Sequence, residues 1–322
     1  MISIIIPNYN GEKYIGICLE SLIRQIHNFK EIIIIDNNSS DNSRKIIEHY
    51  KKKIPNIIVI YNIINKGFSI AVNQGVDIAS GDFILLLNND VELDCNCINE
   101  LYNYIYKDTN IFSVQAKMIK YYDRKKIDDA GDEYTILGWA YQAGNNKSSK
   151  LYSESREIFS ACAGAAIYRK SILEQIGLFD ENFFAYMEDV DIGYRARIHG
   201  YQNVYCPDAI CYHVGSATTG SKYNEFKIKL AARNNIYVPY KNMPLPQIIV
   251  NLPFLFIGFL IKWIFFSFKG YGKVYLNGVV EGLRTLNKIE RVRYKKENLS
   301  NYFKIQWLLI KNTFKYFLSK IH

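Results

Sequence analysis

The chain has 322 residues, 49% hydrophobic and 15% aromatic, enough apolar material for one large core or two smaller ones and too much for a disordered polymer. Its six cysteines form no CxxC pair, which argues against a disulfide framework or a structural zinc and for a reducing cytosol. Nearly all of the net charge of +9 sits between Arg284 and His322, where ten Lys/Arg face two Glu.

The opening MISIIIPNYN has neither the basic leader nor the small-residue cleavage site of a signal peptide and reads as a first strand, Ile2–Ile6. Glu12–Ile26 places Ile15, Leu19, Leu22 and Ile26 on one helical face. Strands are expected at Glu31–Ile35, Ile57–Ile60 and Phe83–Leu87, separated by helices at Asp41–Tyr50, with Asp41 as its cap, and Phe68–Ile78. These strand runs are rich in Ile and lack polar alternation, as parallel strands covered on both faces do. The βαβαβαβ order predicts an α/β fold with a doubly wound sheet. A helix at Cys95–Tyr106 and a strand at Phe112–Met118 come next. From Tyr121 to Glu157 the periodicity fades around LGWAYQAG, and a loop-rich region free to move over a substrate is expected. Order returns at Phe159–Tyr168, followed by helices at Ser171–Ile176 and Asp189–His199, the latter pairing Asp191 with Arg195 four residues on.

Polar groups collect at several strand and helix ends. ILLLNNDVEL, residues 84–93, closes an apolar strand on Asn88, Asn89 and Asp90. A surface turn uses these residue types, and so does a ligand or metal site at the carboxyl end of a sheet strand. Asp36 ends the second strand within IIIIDNNSSDNS, where a carboxylate can accept from a nucleobase N–H or a ribose hydroxyl, or can serve a turn. Since Asp41 is better placed as the cap, Asp36 is left over. Gly67, in NKGFSIAVNQG, stands at a strand-to-helix turn where backbone can approach phosphate. No GxGxxG follows the first strand and no GxxxxGK[ST] occurs, against a dinucleotide oxidoreductase and a P-loop NTPase. In FDENFFAYMEDVDIGYRARIHGY, residues 179–201, Glu188, Asp189 and Asp191 open a helix. Negative charge is favoured there, and one of these carboxylates in a cleft could also act as a base. His213, in YHVGS, is either structural or a single imidazole beside an oxygen-rich Mn²⁺ or Mg²⁺ site at Asp90.

Taken in order, SIIIPNYN, IIIIDNNSSDNS, NKGFSIAVNQG, LLLNNDVEL, GLFDENFFAYMEDVDIGYRARIHGY and HVGS closely resemble the family 2 glycosyltransferases of GT-A fold, nearest their non-processive, rhamnosyltransferase-like members. The likeness runs over residues 1–240. It implies a GT-A type, mostly parallel sheet with a nucleotide-binding half over 1–120 and an acceptor half over 121–240. It also implies an inverting, hexosyltransferase-like enzyme that moves one sugar from a nucleotide-diphospho-sugar to a saccharide or lipid-linked acceptor in cell-surface glycan synthesis. By the same resemblance Pro7, Tyr9 and Asp36 hold the base and ribose, and Asn65, Lys66 and Gly67 line the nucleotide pocket. Asn89 and Asp90 match a variant DxD motif, with Asp90 on a divalent cation, Mn²⁺ or Mg²⁺, and Asn88 where stricter members carry an aspartate. His213 matches a metal- or diphosphate-contacting histidine. Asp189 matches the general base and Glu188 an acceptor-orienting group, while Arg195 and Arg197 brace the acidic helix or the phosphates. The QxxRW signature of processive synthases is absent, which implies one sugar per encounter. The chemistry is coherent: charge grows on a diphosphate leaving group and a cation offsets it, while a carboxylate takes the acceptor's proton in line.

Gln247–Phe268, QIIVNLPFLFIGFLIKWIFFSF, has 22 residues and would span about 33 Å as a helix, against about 30 Å of bilayer hydrocarbon. Pro253 and Lys262 disfavour a clean crossing, and a buried core helix is the alternative. Trp263, Phe265 and Phe266, with Lys262, Lys269, Lys273 and the basic tail, fit an anionic membrane surface. A membrane-associating helical region over 241–322 is expected at the cytoplasmic face of the cell membrane, as a shallowly inserted hairpin or monotopic anchor in preference to a single-span anchor. Nucleic acid is not an expected partner, because the charge lies beside the greasiest segment. Two rival functions remain. A sugar-phosphate nucleotidyltransferase would want a Gly- and Lys-rich loop after the first strand, where SIIIPNYNGEK has one of each. A non-catalytic membrane scaffold would have little use for Asp36, Asp90, Asp189 and His213 together.

Overall fold

A computed structural model describes residues 1–215 and 223–321. Ser216, the last residue of the HVGS stretch, lies outside the described residues. The first part of the chain runs β1 (Ile2–Asn8), α1 (Ile15–Ile23), β2 (Glu31–Asp36), α2 (Ser43–Lys53), β3 (Ile57–Tyr61), α3 (Phe68–Ile78), β4 (Phe83–Leu87), β5 (Val91–Leu93), α4 (Cys97–Lys107) and β6 (Ile111–Lys120). It continues through β7 (Ile127–Asp129), β8 (Asp132–Tyr134), β9 (Ala140–Gln142), β10 (Arg156–Ile158), β11 (Ala165–Arg169), α5 (Lys170–Ile176), α6 (Glu188–Ile198) and β12 (Gln202–His213). Four helices close it: α7 (Glu225–Asn242), α8 (Leu245–Phe268), α9 (Gly272–Arg284) and α10 (Leu299–Ile321).

The main sheet has the order β10-β12-β6-β11-β4-β1-β2-β3, with β5 on β12 and β7 on β6. Strands β1 to β4 are mutually parallel, β11 runs antiparallel between β4 and β6, and β12 is parallel to β6. The chain lays down β1, β2 and β3 outward, then returns to place β4 on the other side of β1. The sheet's topological switch therefore lies between β1 and β4, where open α/β sheets bind ligands. The Ile-rich runs follow from this layering. Ile4, Ile34 and Leu85 enter one core cluster, while Ile5, Ile33 and Leu86 enter another. Successive strand residues point to opposite faces, and helices cover both.

Several elements differ from the sequence expectation. α1 begins only at Ile15, because a turn accepting Tyr14 N–H and Ile15 N–H on the Gly11 carbonyl precedes it. Asp41 is not the cap of α2, whose capping position is Asn42. Its carboxylate accepts from Ser43 N at 3.0 Å and Glu12 N at 2.8 Å, tying the loop after β1 to the start of α2. Residues 159–164 are irregular and the strand starts at Ala165. The stretch from Tyr121 to Glu157 is not a loose loop, because β7 to β9 and the start of β10 lie in it and Asp129 to Trp139 are all buried. Three-residue strands are too short for alternation to show. A third cluster joins Tyr134, Trp139 and Tyr194 to Tyr237, Tyr302 and Leu309, so the last helices share a core with the sheet half.

Candidate active site

The carboxyl ends of β1, β2 and β4 meet around one amide. Asn8 Nδ2 donates to Asp36 Oδ1 at 2.9 Å, and Asn89 Nδ2 donates to Asn8 Oδ1 at 2.7 Å. Gly11 makes room for this pairing, since a Cβ there would lie 2.3 Å from both Asn8 Oδ1 and Asn89 Nδ2. Asp36 is fully buried, and it also accepts from Arg44 Nε at 2.6 Å and Ser39 N at 3.2 Å. Pro7 lies within β1 and Tyr9 just beyond it, Tyr9 exposed. Across β2, Asn37 Nδ2 donates to the Gly67 carbonyl at 2.9 Å, and Gly67 N donates to Asn65 Oδ1 at 2.9 Å. Lys66, between them, is half-buried. Gly67 has φ +86°, and a Cβ there would sit 2.6 Å from the Phe184 carbonyl, so only glycine fits. That carbonyl accepts from Phe68 N at 2.6 Å. The Asn65–Gly67 loop thus rests on the chain leading into α6.

Strand register delivers the second group. His213 lies opposite Val91 in the β12–β5 pair, and Val214 N donates to the Asp90 carbonyl at 3.1 Å. The imidazole Nε2 comes to 3.4 Å from Asp90 Oδ1, while Nδ1 is 2.7 Å from Asp128 Oδ2 on β7. Burial works against protonation of His213, but its hydrogen bonds to Asp128 and Asp90 outweigh this and raise it to about 10. A carboxylate on one imidazole nitrogen orients the other, the arrangement behind most metal-binding histidines. Once Nε2 gives up its proton to the incoming cation, one carboxylate oxygen and one imidazole nitrogen suit Mn²⁺ or Mg²⁺, with the remaining positions open to diphosphate oxygens and water.

The third group opens α6. Phe184, Tyr186 and Met187 precede it at φ +61°, +71° and +71°, in a region that side-chain-bearing residues enter at a cost. The turn is held from α7: Asn234 Nδ2 lies 3.0, 2.9 and 2.7 Å from the carbonyls of Phe183, Ala185 and Tyr186. Beyond it Glu188 is buried with Oε2 lacking a hydrogen-bond partner among the described residues, and Asp189, half-buried, accepts from Val190 N at 2.8 Å. Burial, with the neighbouring Asp189 charge, pushes Glu188 up to about 8. Burial also lifts Asp189 to about 6, against backbone N–H donors and a hydrogen bond from Asp132. Asp129, Asp132 and Cys162 bring their ligating atoms within 4.8 Å of one another. Burial raises Asp129 to about 7 and Asp132 well above the carboxylate range.

Arg195 and Arg197 are both buried. Arg195 donates to Asp191 and to the carbonyls of Ile176, Gly177 and Leu178, and Arg197 donates to Glu157 and the carbonyls of Phe159 and Ile158. They brace α6, and all five guanidinium N–H groups of Arg195 are engaged. Asn8, Arg44, Asp128, Asp132 and Asn234 are site residues that sequence reasoning missed. Asn8 could have been found, since it sits inside PNYN directly between two residues singled out. Asp128 and Asp132 lie in the stretch read as loop.

Residues 3–177, more than half of the chain, match the family model described as Glycosyl transferase family 2. The chain is 33% identical over 187 residues to the minor teichoic acid biosynthesis protein GgaA of Bacillus subtilis (strain 168), covering 56% of this chain and 40% of that protein. It spans well under half the length of several curated relatives, GgaA among them. Its fold is similar to S. aureus TarS 1–349 in complex with UDP-GlcNAc, with TM-score 0.54 and 18% identity over 94% of this chain and 78% of that one. It is similar also to the mannosyltransferase PcManGT from Pyrobaculum calidifontis in complex with GDP-Man and Mn²⁺, with TM-score 0.54 and 12% identity over 89% and 86%. Given the extent of the family match, the protein belongs to the family 2 glycosyltransferases.

Proposed function

We propose that this glycosyltransferase moves one sugar per encounter, with inversion, from a nucleotide-diphospho-sugar to a saccharide or lipid-linked acceptor in cell-surface glycan synthesis. Residues 1–240 do the chemistry, and 241–322 hold the enzyme against the cytoplasmic face of the cell membrane. The observation that carries the reading is the junction after β4, where Asp90 and the Asp128-oriented His213 stand 3.4 Å apart beside the β1/β4 switch. A teichoic acid protein among the relatives, and fold neighbours solved with UDP-GlcNAc or with GDP-Man and Mn²⁺, support it.

Asn8, Asn89 and the Asn65–Gly67 loop frame the nucleotide, with Asp36 behind Asn8 fixing its amide. Asp90 and His213 would hold the divalent cation, which when bound supplies positive charge to the departing diphosphate. Glu188 and Asp189 divide the work on the acceptor because their environments set them apart. At neutral pH Asp189, near 6, is largely ionised and takes the acceptor's proton, while Glu188, near 8, keeps its own and orients the hydroxyl by hydrogen bonding. A single displacement with no covalent sugar–enzyme intermediate inverts the anomeric centre.

The test is transfer and hydrolysis by purified full-length protein across a panel of nucleotide sugars, with and without Mn²⁺, with the product's anomeric configuration read by NMR. Asp90→Ala should abolish divalent-dependent turnover and leave the melting temperature nearly unchanged. Activity of that variant equal to wild type at every metal concentration would remove the cation from Asp90. A product keeping the donor's configuration would overturn inversion.

A further inference from the structure

We infer that α8 lies in the plane of the membrane surface and does not cross it, and that α10 is a second inserted helix beside it, the two forming one docking face for anionic phospholipid. This rests on the membrane association proposed above and adds its geometry.

α8 has 24 residues and an 18-residue stretch apolar enough to cross a bilayer, yet only 17% of that stretch is buried. A core helix of that composition would be mostly covered, and so large an exposed apolar surface marks a contact with something else. One face of α8 is nevertheless held by the rest of the protein along most of its length. Near its start, Gln247 accepts from Tyr194 Oη at 3.4 Å, and Gln306 Nε2 donates to the buried Asn251 Oδ1 at 2.7 Å. At its middle, Trp139 Nε1 donates to the Gly258 carbonyl at 3.1 Å, and a Cβ on Gly258 would lie 2.1 Å from the Leu137 carbonyl. Near its end, Phe266 stacks on Tyr275 with ring centroids 5.3 Å apart. From Gln247 to Phe266 a helix rises about 29 Å, the thickness of the hydrocarbon itself. A crossing helix would draw these partners in with it, including Tyr194 of α6, the helix that opens on Glu188 and Asp189. An in-plane helix keeps them on the aqueous side.

α10 repeats the pattern. Tyr302, Ile305, Leu309 and Asn312 are buried, whereas Phe303, Trp307, Phe314 and Leu318 are exposed by 68%, 68%, 67% and 58%. Their spacing of four, seven and four residues draws one stripe along the helix, and the exposed Lys304, Lys311 and Lys315 run along one flank of it. Leu245 and Val250 of α8 and Leu299 and Phe303 of α10 line one groove of about 910 Å³ with Arg291 and Arg293, so the two stripes share a face. Arg293, Lys295 and Lys296, all exposed, lie in the link between α9 and α10. Apolar stripes flanked by cations complement a bilayer bearing anionic headgroups.

The test uses full-length protein, vesicles of phosphatidylcholine with or without phosphatidylglycerol, and lipids brominated at shallow or deep acyl positions. Trp139 is buried, leaving Trp263 and Trp307 as reporters. Flotation should rise with phosphatidylglycerol, and both reporters, separated by Trp→Phe variants, should be quenched more by shallow than by deep bromines. Phe303→Asp with Trp307→Asp should weaken binding by about tenfold or more, while donor hydrolysis without vesicles stays at the wild-type level. Deep quenching of Trp263, or undiminished binding of the double variant, would overturn the in-plane, two-helix geometry and leave membrane association standing. Equal binding to vesicles without phosphatidylglycerol would overturn the anionic preference. A wild-type protein that fails to float and self-associates in solution would overturn both the geometry and the membrane reading, and would make this face a contact between copies.

Discussion

The donor end of the sheet and the acidic start of α6 are both built on carboxylates, in opposite ways. At the donor end the Asp36 oxygens meet Asn8, Ser39 and Arg44, and the amides around them are themselves paired. At α6 burial prevails: Glu188 Oε2 has no partner among the described residues, and burial pushes both carboxyls upward, Asp189 in spite of its backbone N–H donors. Asp191 shows how local this is. It is buried as well, yet Arg195, Lys241 and Asn242 hold it below its ordinary range. The proposed roles fit this difference: a carboxylate that frames a ligand is satisfied, and one that is to take a proton sits where ionisation is uphill. The backbone makes no such division: Asn10 and Asn38, just after β1 and β2, have φ +50° and +65°, and α6 is entered through three residues of positive φ in a turn held by Asn234.

The largest effect that would sharpen this contrast is loss of the proposed base. Asp189→Asn should lower kcat by about 10²–10⁴-fold with nucleoside diphosphate affinity, measured by calorimetry, nearly unchanged. If Glu188→Gln is the dead variant and Asp189→Asn the mild one, the roles are reversed. Asp36→Ala should act on the other side of the comparison, weakening nucleoside diphosphate binding and lowering the melting temperature. Stripping one partner from a buried ion pair costs about 3–5 kcal/mol, and the 39% exposure of the Arg44 side chain reduces this to about 2 kcal/mol. Unaltered affinity would make Asp36 a purely structural residue.

Asn234→Ala removes the donor that holds the strained turn, at a cost of about 1–2 kcal/mol. If the turn positions Asp189, kcat should fall by about tenfold, roughly 1.4 kcal/mol, beyond any loss of folded protein. A lower melting temperature with full kcat would limit Asn234 to stability. The smallest effects are in pH. The rate should fall below about pH 6 as Asp189 protonates, and above about pH 8 as Glu188 ionises. Glu188→Gln should erase the alkaline limb and keep the acid one. The folded Glu188 titrates near 8 against an ordinary 4.5, so its contribution to stability is complete below about 4.5 and declines as pH rises toward 8. Thermal melts of the glutamine variant should be flatter over that window, and parallel curves would mean that Glu188 is not shifted.

Much of the donor side was written along the chain. Parallel strands buried on both faces need unbroken apolar runs, and β1, β2 and β4 are such runs, so their carboxyl ends and the residues after them, Asp36 and Asp90, could be named directly. The acidic start of α6 was equally visible as EDVD, because consecutive residues define a helix end. Neighbours in sequence are neighbours in space over that range, and periodicity reports them.

What the chain order could not reveal was who meets whom across long separations. Asp128 reaches His213 over 85 residues only because β7 and β12 both register on β6, and a three-residue strand carries no periodic signature. Asn234 reaches the turn before α6 from a helix whose apolar pattern says nothing of a polar contact. The sequence by itself determined which carboxylates stand at strand and helix ends. Only the tertiary structure decided at which of them donors outweigh burial and at which burial prevails, because desolvation and hydrogen bonding depend on every element packed around a group and not on its neighbours in the chain.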